Sequence, residues 1–413
     1  MNISVFTHYF TPEIGAPSSR IHEMSRRWQL SNHDVEVVTC FPNHPTGRLY
    51  QGYNSDRYYL EKIDGFNVHR NWTYITPNKG FLKKSLGHFS FLPSALCNSV
   101  SRLNCPNVTI GTSPTFFAAM AANRAAKQYG CPFIMEVRDL WPACFSELGV
   151  VKQPLFIKLL EKWELSLYRQ ADRVVTVTES FRENLIDRGI PASKVVTIYN
   201  GADEEFWQPE NGMASELRSK YKLNGKFVVL YIGAHGISQA LNQIIDAASE
   251  VRHIDKIHFL FVGEGADKEN LVKRVEELGL TNVTFVDPVC KNEVKNYYAL
   301  ANLCLVPLRN IPLFKAFIPS KIFEMMAMKK PILASLDGEA ANILNRSGGA
   351  VVTSPENNKD LARELIKLYE NPLILSKMSQ AGRDFVIKEF SRRSLAEKYI
   401  EVMREVIKEK KSR

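Results

Sequence analysis

Short apolar runs separated by amphipathic stretches recur along the whole chain. In the first half, "ISVFTHYF", "DVEVVTC", "NVTIGT", "PFIMEV", "RVVTVTE" and "VVTIYN" are rich in β-branched residues and read as strands. Helical segments lie between most of them, among them "SSRIHEMSRRWQL", "PTFFAAMAANRAAKQYG" and "PLFIKLLEKWELSLYRQA". The series then starts afresh with "FVVLYIGA", "IHFLFVGEG", "VTFVD", "LCLVPL", "PILAS" and "GAVVT". Near-continuous apolar strands alternating with helices predict parallel sheets covered on both faces. Two such series predict an α/β chain of two doubly wound, Rossmann-like domains. The polar stretch "NGADEEFWQPENGMASELRSKYKLNG" is the natural boundary, with the first domain over 1–205 and the second from 206.

In open α/β sheets, ligands sit outside the carboxyl ends of the strands. That singles out "TPEIGAPSSR", "RDLWP", "GAHG", "GEGADK", "RNIPLFKAF" and "IPSKIFEMMAMKKPILAS". If the two sets of strand ends face each other, these stretches line an interdomain cleft, the usual place for a substrate.

The last stretch carries the sharpest signal. Pro319 and Ser320 suit a helix start. Ile322, Phe323, Met325, Met326, Ala327 and Met328 leave no polar face, so the helix should be buried. Lys321 and Glu324 must then find partners, because an unpaired buried charge is heavily penalised. One answer is a ligand that is anionic at one end and hydroxylated at the other. The other is an i,i+3 ion pair between the two.

Elsewhere, Gly15, Gly233 and Gly236 follow strands and precede helices, where backbone amides can approach a phosphate. They equally suit plain tight turns. No GxGxxG or P-loop accompanies them, which demotes dinucleotide enzymes and P-loop kinases. Glu264, in "VGEGADK", faces either a ribose or solvent. Arg138 and Asp139 end an apolar strand, where they suit either a catalytic mouth or a structural clamp. His8 and His88 read as cleft groups or as ordinary half-buried histidines. No DxD, HExxH or clustered ligand set predicts a metal site.

Composition narrows the setting. The chain has 413 residues, 45% hydrophobic and 23% charged, as in an ordinary globular protein. No apolar run reaches the length of a transmembrane helix, and the first residues read as a strand, not a signal peptide. Seven cysteines without a CxxC argue against a disulfide framework or zinc cluster, and favour a reducing cytosol. The net charge of +9 is concentrated: no acidic residue occurs between Asp64 and Glu136. There "FLKKSLGHFSFLP" mixes basic and bulky apolar residues and reads as an interfacial patch or a solvated basic helix. Nucleic acid is not expected, because no basic–aromatic module is present.

Taken in order, "HYFTPEIGAPSSR", "VRDLWP", "TIYNGAD", "YIGAHG", "VGEGADKENL", "PSKIFEMMAMKKPILAS" and "NPLILSKMSQAGRDFV" resemble the family-4, GT-B retaining glycosyltransferases. The resemblance spans nearly the whole chain, and its finer form is to bacterial O-antigen and capsule enzymes of the N-acetyl-L-fucosamine transferase type. It implies a donor domain over 206–387 and an acceptor domain over 1–205, with the final helix, about 388–413, packing back on the latter. It implies that Glu324 holds the donor's ribose, that Lys321 contacts the diphosphate and acts in catalysis, and that Gly15 approaches that diphosphate. Arg138 and Asp139 fall near the anomeric carbon. Gly233, Gly236, Glu264 and Ser320 join the donor site, and Glu13, Arg20 and His88 the acceptor site.

Three departures stand out. The first glutamate of the family's pair is Ala316 here, and the usual Arg and Lys of the donor domain are Ala234 and Gln239. The position before Asp139, often histidine, is Arg138. The missing glutamate, with Phe314 and Phe317 nearby, suggests a 6-deoxy-N-acetylhexosamine donor. The lost basic residues shift diphosphate stabilisation onto Lys321, with Lys315 or Arg309 in support. The expected enzyme is metal-independent, uses a UDP-sugar as substrate, and works at the cytoplasmic face of the inner membrane on a saccharide or polyprenyl-diphosphate-linked acceptor. A UDP-N-acetylhexosamine 2-epimerase and a non-catalytic nucleotide-sugar-binding paralogue are the competing readings.

Overall fold

A computed structural model describes residues 1–44, 46–76, 81–140, 153–209 and 214–412, with backbone only at 81–84, 154 and 156. The chain divides into two compact units, Met1–Asn200 with Arg392–Arg413, and Gly201–Ser391.

The first unit holds strands β1 (Asn2–Phe6), β2 (Asp34–Cys40), β3 (Tyr58–Ile63), β4 (Phe66–Asn71), β5 (Val108–Thr112), β6 (Phe133–Val137), β7 (Arg173–Thr176) and β8 (Val195–Thr197). Their order is β3-β4-β2-β1-β5-β6-β7-β8. The sheet is parallel except for β3, which runs antiparallel to β4 at the edge. The β3–β4 hairpin departs from the all-parallel expectation. Its turn is Asp64-Gly65, both at positive φ, the geometry that a tight two-residue hairpin requires. The inner strands β1, β5 and β6 are buried almost throughout, as their unbroken apolar runs require.

The second unit holds β9 (Phe227–Ile232), β10 (Ile257–Val262), β11 (Val283–Val286), β12 (Leu303–Pro307), β13 (Ile332–Ser335) and β14 (Ala350–Thr353), all parallel, in the order β11-β10-β9-β12-β13-β14. Each sheet has a point where the chain reverses its direction of winding. In the first it falls between β1 and β5, in the second between β9 and β12, and ligands of such folds bind there.

The two crossings between units lie at Asn200/Gly201 and Ser391/Arg392, not at 205/206 and 387/388. The reason is local: the Ala202 amide donates to the Phe390 carbonyl at 3.0 Å, which ties residues 201–205 to the second unit. Helix Arg392–Lys411 lies on the first unit. Its Tyr399, Ile400, Met403 and Val406 share a core with Ile21, Met24 and Trp28. Each such side chain, fully buried, stabilises the packing by about 2 kcal/mol. Among the described residues no helix is long and apolar enough to cross a membrane.

Candidate functional site

At the reversal point of the second sheet, β9 is followed by Gly233, and the connection after β12 leads to helix Lys321–Ala327. Ile322, Phe323, Met325 and Met326 are fully buried, as their pattern predicts. Ser320 precedes the helix, but it is already in a helical conformation and its hydroxyl makes no cap. An N-cap side chain reaches the first amides only from an extended backbone.

Lys321 stretches back to β9. Its Nζ donates to the Ile232 carbonyl at 3.0 Å and lies 4.3 Å from the Tyr231 ring centroid. Burial pushes its amine down to about 8, against the pull of Glu324 and Cys304 in the other direction. An ammonium has three protons, so a bond to one carbonyl leaves donors for an anion. Glu324, one turn on, accepts from the Tyr298 hydroxyl at 3.2 Å. The two charges of this helix therefore feel each other, yet each is anchored to a different strand or helix of the unit.

Gly233 makes the approach possible. A Cβ there would stand 2.6 Å from Lys321 Nζ, and its φ is +142°. Beside it, Gly263 has φ +143°, and a Cβ would come within 2.0 Å of the Gly233 carbonyl oxygen. Gly263→Ala is expected to destabilise the unit by about 3 kcal/mol or more, from backbone strain and the clash together. A denaturant titration with unchanged midpoint would contradict this packing. Gly236, by contrast, sits at an ordinary φ of −105°, with the Gln239 side chain against it.

His235 fills the loop between these glycines and was not singled out by sequence, which drew attention to the glycines of "GAHG". It is fully buried among Tyr231, Phe261 and Phe285, and among the described residues neither ring nitrogen has a hydrogen-bond partner. Burial, with Lys268 and Lys321 near it, pushes the imidazole down to about 4, so it is neutral.

Two predicted donor residues hold ion pairs of their own, and a third lies on the surface. Glu264 pairs with Lys268 at 3.1 Å, and Lys268 also holds Asp287. Lys315 is exposed and pairs with Asp337 at 2.7 Å. Arg309 is exposed and lines a pocket with Asp246, Asp267 and Glu356.

In the first unit, the loop after β1 leads through Gly15, at φ +154°, into helix Ala16–Leu30. Three sequence candidates prove to hold this loop in place. Glu13 is buried and accepts from the backbone amides of Asn43, His44 and Phe10 at 2.8, 2.8 and 3.2 Å. Burial still pushes its carboxyl up to about 6. Arg20 is buried with both ends of its fork on Glu136, each at 3.1 Å, and it also donates to the carbonyls of Ile198 and Tyr199. That leaves it little to offer an acceptor. Arg138 donates to the Pro17 carbonyl at 2.7 Å and lies 4.0 Å from Glu136. Its guanidinium thus supports the start of the helix after Gly15. Glu136, absent from the sequence-based candidates, is the buried centre of the network.

Asp139 and His88 stand differently. His88 Nε2 lies 3.3 Å from the Tyr9 hydroxyl, with the His8 and His44 rings packed on the pair. Tyr9 and His44 are further members that sequence reading missed. The Asp139 backbone amide leans on Ser113 Oγ at 3.4 Å. Burial pushes its carboxyl up to about 6, opposed by Arg138. Trp141 and Pro142, from the same "RDLWP" stretch, lie outside the described residues.

The shifted Asp139 makes a signed prediction. A carboxyl held above its ordinary 3.8 costs stability once it ionises: the cost is absent below about pH 4, grows to about pH 6 and is full above. Asp139→Asn is therefore expected to be more stable than the parent at pH 8 by on the order of 2–3 kcal/mol, with no gain at pH 4. A gain independent of pH would rule the buried charge out.

Two α/β units with parallel sheets and reversal points of this kind define the GT-B glycosyltransferase fold. Residues 15–201 match the glycosyl transferase 4-like domain, and residues 214–385 match the glycosyl transferases group 1 family. The two matches together span most of the chain, and the protein belongs to this glycosyltransferase family. The Escherichia coli K12 protein WcaI, named for colanic acid biosynthesis as a glycosyl transferase, is 25% identical over 418 residues, covering 98% of this chain and all of its own. The alpha-galactosylglucosyldiacylglycerol synthase of Streptococcus pneumoniae R6 is 25% identical over 61% of this chain and 66% of its own. Among solved structures, the sucrose-phosphate synthase of Thermosynechococcus elongatus superposes with a TM-score of 0.76 at 16% identity, over 98% of both chains. Anabaena HepE in complex with UDP-glucose gives 0.74 at 16%, over 98% of this chain and all of that one.

Proposed function

We propose that this glycosyltransferase is a retaining enzyme that moves a sugar from a UDP-sugar to a lipid-linked or saccharide acceptor, in the synthesis of a bacterial surface polysaccharide such as O-antigen or capsule. The observation that carries the reading is Lys321: a desolvated amine at the reversal point of the second sheet, with Glu324 one turn along the same helix. One ligand that offers a diphosphate and a ribose satisfies both. The names of WcaI and the pneumococcal glycolipid synthase support the polysaccharide setting and a lipid-borne acceptor, and HepE supports UDP as the nucleotide.

In this mechanism the second unit binds the donor and the first the acceptor. Lys321 and the Gly233 loop stabilise the departing diphosphate. The acceptor oxygen attacks the anomeric carbon on the face the diphosphate leaves, and its proton passes to a phosphate oxygen. Preorganised stabilisation of the leaving group is typically the largest catalytic contribution. Lys321 supplies positive charge without a metal, so turnover in EDTA is expected. Asp139 and the Tyr9–His88 pair are the acceptor-side candidates. Arg20, Glu13 and Arg138 act through the loop they hold.

Ala316 in place of an acidic residue, with the Phe314 and Phe317 rings 5.7 Å apart, favours a less hydroxylated sugar such as N-acetyl-L-fucosamine. A preference for UDP-glucose over UDP-linked 6-deoxy-N-acetylhexosamines in a donor screen would refute that choice. Glu324→Ala is expected to raise the donor KM about tenfold or more while kcat changes less, since a hydrogen bond to a charged group contributes about 1.5–3 kcal/mol. An unaltered donor KM would remove Glu324 from the site.

A further inference from the structure

The first unit carries an apolar and basic face for which the fold itself has no use. Helix Pro154–Gln170 turns Leu155, Leu159 and Trp163 outward at i, i+4 and i+8, and they are 85, 59 and 53% exposed. On the same outer side, Lys158, Lys162 and Arg169 are exposed. The acidic Glu164 is turned inward instead, onto Tyr168 and Arg188, and Glu161 is half-buried. Between this helix and helices Phe81–Asn98 and Phe116–Tyr129 runs a groove of about 870 Å³. Leu92, Leu96, Met120, Trp163 and Leu167 line it, together with Arg124 and Lys127. Leu86 and Phe89, on the flanking helix, are more than half exposed.

Large apolar groups interleaved with lysine and arginine on one helix face are what the interface of an anionic bilayer accommodates. The apolar groups enter the acyl boundary while the cations meet phosphate headgroups. A second copy of the chain fits less well, because a self-complementary contact would bring the same cations together. We infer that this face, centred on Leu155, Leu159 and Trp163 of helix Pro154–Gln170, seats the first unit on an anionic phospholipid surface. The inference deepens the lipid-acceptor reading and rests on it only for the biological setting; binding to the surface needs no catalysis. The stretch "FLKKSLGHFSFLP" reads from its sequence as an interfacial patch or a solvated basic helix, and its first four side chains lie outside the described residues. Among the described residues, helix Pro154–Gln170 exposes three large apolar side chains, Leu155, Leu159 and Trp163, and that stretch exposes Leu86 and Phe89.

The test is co-sedimentation of the full chain with vesicles of phosphatidylcholine alone and of phosphatidylcholine with phosphatidylglycerol. The expected result is binding to the anionic vesicles that weakens with added salt. Leu159→Glu/Trp163→Glu and, separately, Lys158→Glu/Lys162→Glu should each reduce partitioning more than about tenfold. Both pairs are surface positions, so thermal unfolding and UDP affinity should stay at parental values; a lost UDP affinity would point to the donor assignment or the fold instead. Parental binding of both variants, absence of vesicle binding, or concentration-dependent self-association abolished by Leu159→Glu/Trp163→Glu would each overturn the inference.

Discussion

Lys321→Ala is expected to lower turnover by about 10²–10³-fold, the cost of removing one preorganised donor from a developing anion, or ~3 kcal/mol. The fold should tolerate the change. The amine is held at a cost in burial, which pushes it down to about 8 against the pull of Glu324, and among the described residues it rests on one carbonyl and the face of Tyr231. Removing it therefore relieves a penalty as well as losing a bond. The same shift sets a pH profile. In the free enzyme the cation is present below about pH 8 and lost above it, so kcat/KM should decline on the alkaline side from about that value. A bound diphosphate favours the charged form, so the decline in kcat should begin at higher pH. Steady-state kinetics from pH 6 to 10 measures both. Near-parental turnover of Lys321→Ala would leave the proposed chemistry without its cation.

Arg20→Ala should act on stability rather than on substrate. It strands Glu136, which is wholly buried, with the Arg138 guanidinium 4.0 Å away as its remaining ion-pair partner among the described residues, and it leaves the carbonyls of Ile198 and Tyr199 without this donor. Breaking a buried pair by removing one partner typically costs about 3–5 kcal/mol. Arg20→Lys should recover only part of that, because an ammonium cannot make the two-pronged contact with Glu136. Chemical denaturation of the two variants decides the matter. A normal midpoint combined with a raised acceptor KM would return Arg20 to the acceptor site.

The Arg20 network shows where sequence reading stops. Arg20 and Glu136 are 116 residues apart, and nothing local to either marks them as partners. An arginine after a glycine loop looks like a ligand group whether its fork points out or in. Only the packing of helix Ala16–Leu30 on the sheet settles its direction. The same holds for Glu13, whose three amide donors come from Phe10 and from the distant Asn43 and His44.

Lys321 and Glu324 were legible because two charges on a helix with no polar face are a conflict visible within seven residues. The parallel sheets were legible from unbroken apolar strands. The β3–β4 hairpin was overlooked because its strands are partly exposed and polar, although Asp64-Gly65 is a good local turn signal. His235 escaped notice because one histidine in a loop is unremarkable until both its nitrogens are found buried without partners among the described residues.

The central claim is that the helix of Lys321 and Glu324 receives a uridine diphosphate group. Calorimetric titration of the purified chain with UDP and with GDP in EDTA, with Glu324→Ala alongside, tests it most directly. The account predicts saturable heat with UDP, weaker or absent heat with GDP, and UDP affinity reduced about tenfold or more in the variant. Binding of GDP alone, or UDP affinity unchanged by Glu324→Ala, would contradict it.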